Sequence, residues 1–327
     1  MIKLVDNFPN QLKEALSIAN SAVVSEPNKP IHNVVVTGLG GSGIGGTILT
    51  EVLMDSVKVP VLINKDYFLP AFVNENTLLI VSSYSGNTEE TVQAMEQAMS
   101  KHAQIVCVTS GGKILELAKQ NLIEFIEIPG GQPPRSCIGF SLVQLIKIFI
   151  QKKLAPASLL EEVEQSRQLL IDFNSQIKNE AKTIADDLTG KLAVIYSLGG
   201  SEGVCVRFRQ QVNENGKQLC WHHVFPEMNH NELVGWTERN ENLVVVTFHT
   251  SFDFSRTKKR YEVCKPLFQK FSAKVIDIEA KGNTKLEQFF YLINIGDYVS
   301  CYIAENKNVD PVEVNVINHL KNELSKF

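Results

Sequence analysis

Short runs of β-branched and aliphatic residues alternate along this chain with stretches whose apolar positions recur at helical spacing. The first run, HNVVVTG (His32 to Gly38), ends in glycines and leads into a helical pattern, which predicts a strand, a tight turn and a helix. The rhythm returns at VPVLIN (Val59 to Asn64), TLLIVSSYSG (Thr77 to Gly86), QIVCVTSGG (Gln104 to Gly112) and LIEFIEIPGG (Leu122 to Gly131). Strands alternating with helices predict a parallel sheet covered on both faces. The longest apolar run, Ile138 to Ile150, is interrupted by Ser141, Gln144 and Lys147 and reads as a core helix. From Ser158 to Leu188 leucines and isoleucines stand at helical spacing among charged residues, predicting one long connecting helix. The rhythm then restarts at LAVIYSLGGSEG (Leu192 to Gly203), ENLVVVTFHT (Glu241 to Thr250) and AKVIDIEA (Ala273 to Ala280), and PVEVNVINHLKNEL closes the chain as a C-terminal helix. Each half opens with a strand and a G-G-S turn, at Gly40 to Ser42 and at Gly199 to Ser201. Duplication is the economical explanation. The expected division is a helical segment over 1–30, an α/β domain over 31–153, a connecting helix over 154–188 and a second α/β domain with its terminal helix over 189–327.

A chain of 327 residues has room for two such domains. Its 44% hydrophobic and 21% charged residues exclude a disordered or fibrous class. The net charge of -4 comes from interspersed acids and bases, so nothing resembles the footprint of a nucleic-acid binder. No leader-like apolar segment opens the chain and no stretch is long enough to cross a bilayer, so the expectation is a soluble, cytoplasmic protein with no membrane partner. The six cysteines lack C-x-x-C spacing and read as buried thiols. His222 and His223 are neighbours in sequence, hence point apart on a helix or strand, and zinc is not expected.

Two glycine- and hydroxyl-rich turns carry the candidate chemistry. In GLGGSGIGG, residues Gly38, Gly40 and Gly43 satisfy G-x-G-x-x-G between a strand and a helix, the pattern of a dinucleotide site. The second strand ends in Asn64-Lys65, however, where such a site wants an acid for the ribose, and this disfavours NAD. The third strand runs into Ser82-Ser83-Tyr84-Ser85-Gly86-Asn87-Thr88, which places several hydroxyls at the start of a helix. Unpaired backbone N–H groups and the positive end of the helix dipole suit such a turn to a phosphate, without any lysine. The bland alternative is that Ser85 or Thr88 caps the helix and nothing more.

With GGSG, SYSGNTEET and Pro134-Arg135-Ser136 in this order, the chain resembles sugar isomerase (SIS) domain proteins, in particular the bifunctional phosphoglucose/phosphomannose isomerase family. RFRQQVNENGK (Arg207 to Lys217), FPEMNHNELVGW (Phe225 to Trp236) and VDPVEVNVINHLKNEL extend the resemblance over nearly the whole chain. It implies two doubly wound, flavodoxin-like α/β domains of SIS type and a homodimer with shared active sites. Gly41 and Ser42 would line the sugar-phosphate site, and Ser83, Ser85 and Thr88 would hold the phosphate. Arg135 would lie near the reacting carbons, Glu214 would be the base, His230 would come from the neighbouring subunit, and Lys321 would join His230 in opening the ring. No cofactor or metal is implied. The chain departs from the family pattern at Gly43, where many relatives have alanine, a small-for-small change expected to leave the turn intact. It also has no evident counterpart of the threonine tied to mannose 6-phosphate, the neighbourhood holding Val312, Val314 and Val316.

The chemistry explains why these residue types are needed. Aldose–ketose conversion moves a proton between adjacent carbons through a cis-enediol(ate), which asks for one carboxylate over both carbons, and Glu214, flanked by Asn213 and Asn215, fits. Ring opening asks for an acid and base near neutral pH, which suits His230. Arg135, set rigidly after two prolines, can face a developing enediolate oxygen. The expected activity is interconversion of glucose 6-phosphate and fructose 6-phosphate, with mannose 6-phosphate a second candidate substrate. The competing readings are a sugar-phosphate-binding regulator, for which the roughly thirty residues before the first strand are too few to form a DNA-reading module, and an isomerase of another phosphosugar.

Overall fold

The computed structural model describes residues 1–326 of the chain. Helices α1 (Ile2–Asp6) and α2 (Phe8–Ser21) lead into β1 (Asn33–Thr37), α3 (Gly40–Val52), β2 (Val61–Asn64), β3 (Thr77–Ser83), α4 (Glu89–Ser100), β4 (Gln104–Thr109), α5 (Gly112–Gln120), β5 (Glu124–Glu127) and α6 (Ile138–Gln151). The five strands form a parallel sheet of order β2-β1-β3-β4-β5. Helices α7 (Leu159–Asp172) and α8 (Asn174–Leu188) connect this half to β6 (Leu192–Ser197), α9 (Glu202–Glu214), β7 (Cys220–Val224), β8 (Asn240–His249), α10 (Ser255–Phe271), β9 (Ser272–Glu279), α11 (Lys285–Asn306) and α12 (Asn315–Leu324). The second sheet is parallel, of order β7-β6-β8-β9.

The two doubly wound sheets agree with the sequence reading, and the single long connecting helix does not. Two helices meet at Phe173, whose φ of -94° and ψ of 5° break the α7 geometry before α8 begins. Because Leu170, Phe173 and Ile177 keep helical spacing across the break, the hydrophobic pattern runs through a bend that it cannot register.

Alternation along the strands sorts the core. Val34, Val36, Leu78, Ile80, Ala193, Ile195, Val244 and Val246 face one shared cluster with residues of α2, α6 and α11, whereas Val35, Leu79 and Val81, and separately Val194 and Val245, face outer clusters. One continuous core therefore fixes the two halves against each other. Helix α11 is buried on nearly every side, polar residues such as Asn294 and Asp297 included, and it packs on α7, α8 and α9. All six cysteines are buried thiols, as the sequence suggested.

Candidate functional site

In a doubly wound sheet a crevice opens outside the carboxyl ends of the strands where the strand order reverses. In the first sheet that point lies between β1 and β3, so the G-G-S turn after β1 and the serine-rich turn after β3 form its two walls. Hydrogen bonds tie the walls together. The Ser82 hydroxyl donates to the Ser42 carbonyl oxygen at 2.9 Å, and the Tyr84 N–H donates to Ser42 Oγ at 3.0 Å. Ser83 is buried and its hydroxyl donates to Thr88 Oγ1 at 3.4 Å, while exposed Ser85 accepts from the Asn87 N–H at 3.3 Å. Neither Ser85 nor Thr88 caps α4, since the Thr88 side chain accepts nothing from that helix start. The hydroxyls surround a helix N-terminus whose N–H groups have no side-chain acceptor, which is the arrangement an anion needs.

Tyr84 extends this frame to the next turn: its hydroxyl accepts from the Gln132 N–H at 3.1 Å, just before Pro133-Pro134, and burial pushes its phenol up to about 12. The short 3-10 turn Pro134–Ser136 then lies directly against the G-G-S turn, because a Cβ placed on Gly41 would come within 3.0 Å of the Arg135 Cα. Glycine at 41 is what allows this approach. At Gly43 a Cβ would fall 2.1 Å from the Gly38 carbonyl oxygen. An alanine there requires the backbone to move, which corrects the expectation of a neutral exchange.

Arg135 is buried, and its guanidinium is the hub of the site. Nε donates to Asn215 Oδ1 at 2.7 Å, Nη1 to Glu214 Oε2 at 3.3 Å, and Nη2 to the carbonyl oxygens of Pro311 at 2.5 Å and Val312 at 3.2 Å. Burial lowers its pKa and the Glu214 carboxylate beside it pulls the other way. A guanidinium has five N–H donors; four are engaged within this chain, which leaves one on Nη1 for a substrate oxygen. Glu214, at the last position of α9, keeps its side chain 28% exposed, open enough to meet a ligand. Lys217 donates to the carbonyl oxygens of Glu214 and Glu313, which closes the segment before α12 over the site.

The first domain thus supplies Gly41, Ser42, Ser83, Ser85, Thr88 and Arg135 at one sheet edge, and the second domain brings Glu214 to them. His230 does not join them. It is exposed at the end of a 3-10 turn, Glu227–His230, that is anchored by buried Met228 beyond the carboxyl end of β7, and its side chain has no hydrogen-bond or ion-pair partner among the described residues. Helix α9 runs from the carboxyl edge of the second sheet to its amino edge, so β7, spanning about 16 Å, separates Glu214 from the turn that carries His230. Lys321 lies on α12, exposed along its whole length; the segment leading to that helix enters the site at Pro311 to Glu313. The sequence reading noted Asn215 only as a flank of Glu214 and gave no role to Lys217 or the Pro311 carbonyl. The local signal for Asn215 and Lys217 was the N-E-N-G-K string itself, whereas Pro311 had none.

At the corresponding point of the second sheet, where the strand order reverses between β6 and β8, the helix start is engaged by a carboxylate of the protein itself. Glu51, from the end of α3, accepts the Gly203 N–H on both oxygens, at 2.9 and 3.0 Å, where α9 begins. Burial pushes that carboxyl up to about 7, and nearby Glu202 adds to the rise, while the Gly203 N–H and Lys285 oppose it. In the turn after β8, Asp253 accepts from the Thr250 N–H at 2.8 Å and from its hydroxyl at 2.7 Å, and burial raises its pKa as well.

Comparison with known proteins agrees with the fold and gives the family. A family model described as the bacterial phospho-glucose isomerase C-terminal SIS domain matches residues 177–324. Among solved structures, the C-terminal domain of glucosamine-fructose-6-phosphate aminotransferase from Francisella tularensis shares the fold, with a TM-score of 0.77 over 96% of this chain and 97% of that one at 13% identity. A bifunctional phosphoglucose/phosphomannose isomerase of Caldicellulosiruptor bescii is 38% identical over 100% of this chain and 99% of its own length. One from Aquifex aeolicus is 34% identical over 99% and 98%. End-to-end similarity at that level, on a chain whose α/β halves converge on one serine-walled crevice, means that the chain belongs to the bifunctional phosphoglucose/phosphomannose isomerase family.

Proposed function

We infer that this protein interconverts glucose 6-phosphate and fructose 6-phosphate through a cis-enediol(ate), with Glu214 carrying the proton between the first two carbons. The observation that carries the reading is the Glu214–Arg135 pair at 3.3 Å, standing beside the G-G-S turn of a crevice whose other wall is a hydroxyl-lined helix start. Ser83, Ser85 and Thr88 would take the phosphate by hydrogen bonds from neutral donors and α4 backbone N–H groups. Substrate carbons one and two would then lie toward Arg135, whose remaining N–H can stabilise the enediolate oxygen while Glu214 removes and returns the proton. No step needs a redox partner, because the proton and electron pair stay within the sugar. The relatives' names, phosphoglucose/phosphomannose isomerase, support mannose 6-phosphate as a second candidate substrate.

Ring opening requires a proton donor and acceptor near the ring oxygen, and His230 with Lys321 fits that task. Within one chain, His230 lies at the sheet edge opposite to Glu214, which supports a homodimer in which His230 reaches the site of the neighbouring subunit. Val316, Ile317, Leu320 and Leu324 are exposed on α12, an apolar stripe that a second subunit would cover. The deciding experiment is a coupled assay of purified protein with both sugars. Turnover by the wild type, its loss in Glu214→Gln, and unchanged affinity of that variant for 6-phosphogluconate are expected. Turnover by Glu214→Gln at the wild-type rate would move the base elsewhere.

A further inference from the structure

Behind Arg135, away from the crevice, lies a polar cluster that the reaction does not itself require. Arg207 on α9 is 1% exposed and Asp297 on α11 is 5% exposed. The Arg207 Nη2 donates both to Asp297 Oδ2, at 2.6 Å, and to the main-chain carbonyl oxygen of Arg135, at 3.1 Å. Gln211, one turn further along α9, donates to Asp297 Oδ1 at 2.9 Å. A turn beyond that, Asn215 accepts from Arg135 Nε and donates to Ser300 Oγ at 2.9 Å, and the Ser300 hydroxyl donates to the Asp297 carbonyl oxygen at 2.7 Å. Residues 207, 211 and 215 are spaced to lie on one face of α9, and this face holds Arg135 twice, by its backbone through Arg207 and by its side chain through Asn215.

Stability alone does not account for the cluster. A buried ion pair is often matched or exceeded by apolar residues of similar volume, and here the buried Arg207 Nε and Gln211 Oε1 have no partner among the described residues. What the cluster accomplishes is geometric. Arg135 belongs to the first domain and Glu214 to the second, yet Arg207 fastens the main chain of Arg135 to the same helix that ends in Glu214.

We propose that Arg207, held by Asp297, is a positioning residue that fixes the guanidinium of Arg135 against the Glu214 carboxylate by anchoring the Arg135 carbonyl to α9. The proposal rests on the reading of Glu214 and Arg135 as the reacting pair. Displacing a reacting group by about 1 Å can cost on the order of 10²-fold in rate, so this is the scale of effect expected from losing the anchor.

The test is Arg207→Lys, which keeps a cation opposite Asp297 but cannot serve the carboxylate and the carbonyl with one planar fork. Arg207→Met combined with Asp297→Leu is a second variant that keeps the volume apolar should the first not fold. The expected result is a kcat about 10²-fold lower with KM within about threefold, alongside native near-ultraviolet circular dichroism and unchanged 6-phosphogluconate affinity. A purely structural role would not produce the second expected result: in an Arg135→Met background the same change should alter kcat by less than about threefold, because Arg207 acts only through Arg135. A variant with kcat within threefold of wild type overturns the proposal, and so does an equal loss in both backgrounds. Glu214→Gln measured alongside separates the two levels. If that variant is inactive while the Arg207 variants are fully active, only the anchor is rejected; if it is active, the assignment of the pair falls and the anchor with it.

Discussion

Arg135 gathers into one side chain most of what the proposed reaction needs: a fixed charge, a partner for the proposed base Glu214, and a tether for the segment at Pro311 and Val312. Lysine offers a point charge on a flexible stem and cannot reproduce a planar fork that serves Asn215, Glu214 and two carbonyl oxygens together. Arg135→Lys is therefore expected to lower kcat by about 10²- to 10³-fold, the usual scale for losing one preorganised donor at a developing oxyanion, with a smaller effect on KM, as steady-state kinetics with fructose 6-phosphate would read. Arg135 was visible in the sequence because two prolines announce a rigid placement, and Glu214 because asparagines flank it. The partners that make Arg135 effective were not visible. Its bonds to Asn215 and Pro311 cross 80 and 176 residues of sequence, and local pattern carries no information about contacts at such separation. Gly43 is the reverse case, a residue whose type was plain and whose tightness against the Gly38 carbonyl only the folded turn discloses.

At the scale of elements, α3 and α9 form a pair joined at both ends. One end brings Gly41, Arg135 and Glu214 together, and the other seats Glu51 on the Gly203 N–H. Glu51 ionises near 4.5 when unfolded and near 7 when buried, so over that range the native state keeps a proton that the unfolded chain has lost. Stability from this group is therefore greatest below about 4.5, falls as pH rises, and is fully lost above about 7. In denaturant unfolding at a series of pH values, Glu51→Gln should remove this slope, gaining about 3 kcal/mol relative to wild type between pH 4.5 and 8. Most elements were legible, because parallel strands buried on both faces read as short apolar runs. Two were missed. Strand β7 lies at a sheet edge, and its Cys-Trp-His-His-Val sequence offers no apolar run. Helix α11 is buried all round and so lacks a polar stripe, although Thr284 and Glu287, which form its capping box, were a signal in plain view.

For the whole molecule, the position of His230 makes a distinctive prediction about assembly. If two subunits share each site, His230→Ala and Glu214→Gln spoil different halves of it, and a mixed dimer holds one intact site and one doubly altered site. Unfolding the two inactive variants together and refolding the mixture should restore roughly a quarter of wild-type activity, since random pairing makes about half the dimers mixed and each has one working site of two. Mixtures that stay inactive would place the missing acid within the same chain. The two sheets, similar in winding, differ at the helix start beside the reversal of strand order: α4 presents N–H groups without a side-chain acceptor beside hydroxyls, and α9 has its Gly203 N–H taken by Glu51. That difference makes a prediction about binding stoichiometry. Calorimetric titration with 6-phosphogluconate should saturate at one molecule per chain, although the α/β winding occurs twice, because in the second half an internal carboxylate already fastens the helix start that an anion would use.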